Sequence, residues 1–135
     1  MKKIIGFWIL LLFTACDKAE VQKKLDLNGT FEGTLTGWAQ PINLNGTAKW
    51  IITHTGDKID AKIINSAQYV ADTFTYSGTV INDTTFIGKF MASGTQSSSV
   101  NGTISKDGNH IVAKTALNDQ WYEYVRVTYD LTRKK

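Results

Sequence analysis

The stretch TFTYSGTV, residues 73–80, decides the fold. Phe74, Tyr76, Gly78 and Val80 fall on one face, and Thr73, Thr75, Ser77 and Thr79 on the other. Strict alternation of this kind marks a half-buried antiparallel strand, apolar inside and polar outside.

The same period recurs on both sides. Upstream, Phe31, Gly33 and Leu35 oppose Thr30, Glu32, Thr34 and Thr36, while Ala48, Trp50 and Ile52 oppose Thr47, Lys49 and Thr53. Ile59, Ala61 and Ile63 oppose Lys58, Asp60 and Lys62. Downstream, Phe86, Gly88 and Phe90 share a face, as do Val100, Gly102 and Ile104, and then Ile111 and Ala113. The last strand reads as the longest, with Val125, Val127, Tyr129 and Leu131 opposing Arg126, Thr128, Asp130 and Thr132. Turn signals separate these runs: TGDK at residues 55–58, Asn82-Asp83, Asp107-Gly108 and Asn118-Asp119. Asp107-Gly108 is a pair that accommodates the two positive φ angles of a tight hairpin. Eight strands in a meander follow.

Eight antiparallel strands with one apolar face close into a barrel or pack as a sandwich. Closure removes exposed edges. Gly33, Gly78, Gly88 and Gly102 stand on the apolar face two residues after Phe31, Tyr76, Phe86 and Val100. Glycine on an inward face relieves crowding and lets strands coil, as a small barrel demands. The expectation is an all-β, up-and-down, eight-stranded barrel.

LNGTFEG at residues 27–33, the regular hairpins and YVRVTYDLTR at residues 124–133 resemble the calycin group of lipocalin-like and avidin-like barrels. Gly29-Thr30-Phe31 stands where lipocalins place Gly-x-Trp, and the resemblance gives Arg126 or Arg133 the part of the last-strand arginine. It implies a barrel that takes a small apolar molecule at one end. In avidin-like proteins a Trp precedes the last strand and an Asp points inward from it. Trp121 matches the first, but Asp130 alternates outward, so biotin is not the expected ligand.

The N-terminus carries a separate message. Lys2 and Lys3 precede ten apolar or small residues, and Thr14-Ala15-Cys16 closes the run. This is the layout of a secretory signal, about half the length a spanning helix needs. FTAC at residues 13–16 resembles the bacterial lipobox, with Phe13 where Leu is usual. The resemblance implies cleavage before Cys16 and lipid attachment to its thiol, the only one in the chain. The expected organisation is a signal peptide over residues 1–15, a lipidated N-terminus and polar tether over 16–25, and a barrel domain over 26–135. The protein would then sit in the bacterial envelope, anchored to the inner or outer membrane.

Charge narrows the partners. Fifteen basic residues less Lys2 and Lys3 leave 13 against 12 acidic ones, with no basic stripe, so nucleic acid is not an expected partner. His54 and His110 lack metal-ligand spacing and read as polar residues beside turns. No nucleophile-elbow motif occurs, and Ser93 and Ser97 to Ser99 lie in a Gly/Ser/Thr/Gln stretch. Neither enzyme activity, a cofactor nor a metal is expected.

Aromatic residues carry the binding expectation. Trp50, Phe74, Tyr76, Phe86, Phe90 and Tyr129 alternate inward and would wall a cavity for a small hydrophobic molecule. GWAQPINLNG, residues 37–46, reads as the longest early connection, a lid over the open end with Trp38 and Ile42 facing the ligand. The competing expectation is a filled barrel acting through its outer surface as an envelope interaction or inhibitor module, with an exposed patch at Tyr122 and Tyr124.

Overall fold

A computed structural model describes residues 24–39, 42–68, 70, 72–91, 97–117 and 125–135. Residues 1–15, read above as a signal, together with Cys16, Asn118-Asp119, Trp121, Tyr122, Tyr124 and Ser93, lie outside the described residues. Eight strands run in order: β1 Gly29–Ala39, β2 Ile42–Thr55, β3 Lys58–Ala67, β4 Thr73–Val80, β5 Thr85–Met91, β6 Ser97–Ile104, β7 His110–Leu117 and β8 Val125–Arg133. Each pairs antiparallel with its chain neighbour, and β1 pairs with β8 to close the barrel. Phe31 is thereby opposite both Trp50 and Arg133.

Three expectations need correction. The longest strand is β2, with 14 residues, not β8. The segment 37–46 is not a long loop, because β1 reaches Ala39 and β2 starts at Ile42. Its glycines look like loop residues in the sequence, yet they permit close strand approach: a Cβ on Gly37 would stand 2.1 Å from the Arg126 carbonyl oxygen, and one on Gly46 2.2 Å from that of Ser66. Of the Asp107-Gly108 pair, only Gly108 has positive φ (71°). The Asp107 carboxylate instead accepts from Ser105 Oγ and from the Asn109 N–H at 3.0 Å, which braces a longer loop between Ser105 and His110.

The alternation seen in the sequence becomes the inner wall. Phe31, Leu35, Trp50, Ile63, Tyr76, Phe86, Phe90, Val100, Ile111, Tyr129 and Leu131 are all fully buried. Burying a side chain of this size contributes about 1.5–3 kcal/mol.

The barrel ends differ. At one end the turns after β2, β4 and β6 meet the N-terminal segment and the end of β8. Leu27 plugs this end, buried. The Asn28 side chain accepts from the His54 N–H (2.8 Å) and donates to the His54 carbonyl (3.1 Å), acting as one more residue of strand pairing. The Leu27 N–H donates to His54 Nδ1 at 3.2 Å. Arg133 donates to the carbonyls of Asn28, Asp26 and Gly108 and to Asn109 Oδ1, fastening this closed end. Of the two arginines raised by the lipocalin resemblance, Arg133 packs over Phe31; Arg126 is exposed.

Candidate functional site

The remaining end is where the strands are joined through residues 40–41, 68–72, 92–96 and 118–124. What lies inside that half is set by a cluster of rings at the waist. Trp50 sits 5.2 Å from Tyr129, 5.5 Å from Tyr76, 5.8 Å from Phe90 and 6.4 Å from Phe86, centroid to centroid. Most of these contacts are edge-to-face, the arrangement ring quadrupoles favour. Phe74, half-buried, stacks on Phe90 at 5.8 Å. The cluster fills the waist and separates the closed end from the half of the barrel beyond it.

Sequence alternation places Trp50, Phe74, Tyr76, Phe86, Phe90 and Tyr129 on the inner wall, and the structure brings all six together there. Trp38 does not join them. Gly37 takes the inward position, so Trp38 stands on the outer wall opposite Asn43 and Arg126, 40% exposed. The expected lid contact of Trp38 and Ile42 is replaced by strand pairing.

Two inward residues escaped the sequence reading. Asn65 continues Ile59, Ala61 and Ile63 along β3, and Thr115 continues Ile111 and Ala113 along β7; both are buried. Extending the period by one more step on each strand would have found them. Strands β3 and β7 are four apart in a barrel of eight, so these side chains come from opposite walls. Tyr129 on β8 reaches across to hydrogen-bond the Asn65 side chain. Burial pushes the Tyr129 phenol up to about 12, a rise that the Asn65 bond partly offsets. Burial raises Tyr76 further. Its hydroxyl lies over Gly78 and Gly88, where added Cβ atoms would stand 2.2 and 2.5 Å away.

Among the described residues, Trp50 Nε1, Tyr76 OH and Thr115 Oγ1 on this inner wall are buried without a hydrogen-bond partner. Each costs about 1–3 kcal/mol when left unmet. Beyond the rings the inner wall is therefore apolar, with Leu35, Leu44, Phe74 and Val127, and a few neutral polar groups stand among them. That combination can hold a small molecule with an apolar body and a polar atom.

The outer wall offers less. Two shallow grooves open to solvent there, one beside Gly78 and Gly88 with Lys58 and Lys89, the other around Glu32. Glu32 is held at 3.0 Å by both Lys49 and Lys134, which lowers its carboxyl pKa. His110 Nε2 meets Asp130 Oδ1 at 2.6 Å on the surface. No group of three or more His, Cys, Asp or Glu side chains is placed to hold a metal among the described residues.

No protein-family model matches the chain, and no curated protein matches it either. Solved structures do. A redesigned beta barrel, mFAP1, bound to DFHBI superposes with a TM-score of 0.57 at 15% identity, over 79% of this chain and 94% of that one. The isotype 1 transferrin binding protein B of serogroup B Neisseria meningitidis superposes with a TM-score of 0.58 at 15% identity, over 86% of this chain. This chain spans only 27% of that much longer protein. At such identity the likeness is one of fold: this chain is a closed, antiparallel, eight-stranded up-and-down barrel.

Proposed function

We propose that this protein is a non-enzymatic, lipid-anchored barrel of the bacterial envelope that takes a small, mainly apolar molecule into the half beyond its ring cluster. The observation that carries the reading is the buried, unpartnered Thr115 hydroxyl facing the same interior as the Tyr129–Asn65 pair, above a floor of aromatic rings. Buried polar groups are normally satisfied, and an unmet one marks a place for a bound group or water. That mFAP1, a barrel of the same fold, is described bound to DFHBI supports the capacity of such an interior. The anchor rests on FTAC at residues 13–16 behind a short apolar run. Two or three acyl chains on Cys16 would hold the protein stably at a membrane, where one chain alone holds marginally.

Two measurements test this. Native mass spectrometry of the full chain purified from its own host should show a non-covalent adduct of a few hundred daltons. In labelled cells, Cys16→Ser should abolish palmitate incorporation, and persistent labelling of the variant would refute the anchor.

The ring-packed waist favours a second reading, in which the barrel is filled and works through its outer wall. Ile51, Ile64, Ile87 and Met91 are exposed there, Met91 at 56%. The same mass spectrum separates the two, since this reading requires a bare protein mass apart from acylation.

A further inference from the structure

We infer that the molecule taken into the half beyond the ring cluster is uncharged: a long-chain or ring compound bearing a hydroxyl, carbonyl or ester oxygen, and neither a free carboxylate nor an amine. This rests on the pocket reading above and names its ligand class.

Every inward group in that half is neutral among the described residues. Among the described residues, the inward positions there hold Leu, Val, Ala, Gly, Ile and aromatic side chains, with Asn65 and Thr115 as the buried polar residues. The charged or imidazole side chains that turn inward, Arg133 and His54, belong to the closed end and are engaged there. Among the described inward residues, a carboxylate entering that half would find no cation and an ammonium no carboxylate. An unpaired charge buried in apolar surroundings is far costlier than a neutral hydroxyl, which one hydrogen bond largely offsets. Thr115 Oγ1 can donate or accept, so it suits an alcohol or a carbonyl oxygen equally. The tyrosines remain neutral at physiological pH, because burial raises both Tyr76 and Tyr129.

The test uses the full chain and the uncharged fluorophore N-phenyl-1-naphthylamine, displaced by a matched pair, 1-dodecanol and dodecanoate, at a pH where the acid is ionised. The alcohol should displace the fluorophore at a concentration about tenfold lower than the carboxylate. Thr115→Val, which removes the hydroxyl at nearly constant volume, should narrow that ratio about fivefold. If dodecanoate competes as well as dodecanol or better, the inference is overturned while the pocket stands. If the fluorophore neither binds nor is displaced, the pocket reading falls with it. Since the wild-type pair alone decides, an unstable variant leaves the test intact.

Discussion

The guanidinium carbon of Arg133 stands 4.8 Å from the centroid of the Phe31 ring. One side chain thus covers the base of the core and ties the N-terminal segment, the β6–β7 loop and the last strand together through its hydrogen bonds. Planar, multidentate geometry is what lysine cannot reproduce. Arg133→Ala should destabilise the barrel by about 2 kcal/mol, and Arg133→Lys should recover less than half of that. Urea unfolding midpoints measure both. Equal stability of the lysine variant and wild type would show that charge alone matters here.

Glycine on β1 is a test of how the barrel closes. A Cβ at Gly33 would lie 2.0 Å from the Asp130 carbonyl oxygen, and that backbone is fixed by pairing on both sides. At Gly56 nothing lies within 4 Å, and only its φ of 64° resists a side chain. Gly33→Ala should cost about 3 kcal/mol through overpacking, whereas Gly56→Ala should cost about 1 kcal/mol. Thermal or urea unfolding of the two variants, side by side, checks the order.

Alkaline stability reports on the buried phenols. Tyr129 is raised by burial from 10.0 to about 12, so the folded state keeps a proton that the unfolded chain gives up. The stabilisation is fully present below pH 10 and is lost as pH rises through about 12. The unfolding midpoint should fall across that window together with the rise of tyrosinate absorbance. Tyr129→Phe should flatten the fall in part, since Tyr76 is shifted in the same direction. The exposed carboxyls act at the other extreme. Hydrogen bonds to Asn28, Lys134 and Ser105 lower Asp26, Glu32 and Asp107 respectively, so what they contribute is lost as pH falls through their lowered values.

Alternation made most of this fold legible. Phe74, Tyr76, Phe86 and Phe90 announce their face because the neighbours on the other side are polar or glycine, and eight such runs with turn residues between them leave few ways to close. The β1–β2 hairpin was hidden because Gly37, Asn43, Asn45 and Gly46 have loop composition; their use here is to coil a strand pair, which hydropathy does not encode. The placement of Trp38 failed for the same reason, as its face is fixed by the continued pairing of β1. Asn65 and Thr115 are polar residues on the apolar face, so apolar composition passes over them, although one more step of the strand period reaches both. The two residues most telling about the interior are thus the ones that composition discards. The clasp of Asp26, Asn28, His54 and Arg133 joins residues far apart in the chain, and only the closed barrel brings them together.

If the half of the barrel beyond the ring cluster holds a single small apolar molecule, equilibrium titration of the full chain with N-phenyl-1-naphthylamine reads it out. Burial of apolar surface at about 25 cal/mol per Å² over a few hundred Å² supports a Kd on the order of micromolar, or roughly −8 kcal/mol, after the costs of association. The account predicts saturable enhancement of fluorescence with one site per chain. It also predicts weaker binding when Ala67, packed against the core, is replaced by Phe to occupy the space. Fluorescence that rises linearly without saturation, or that saturates identically in Ala67→Phe, would contradict it.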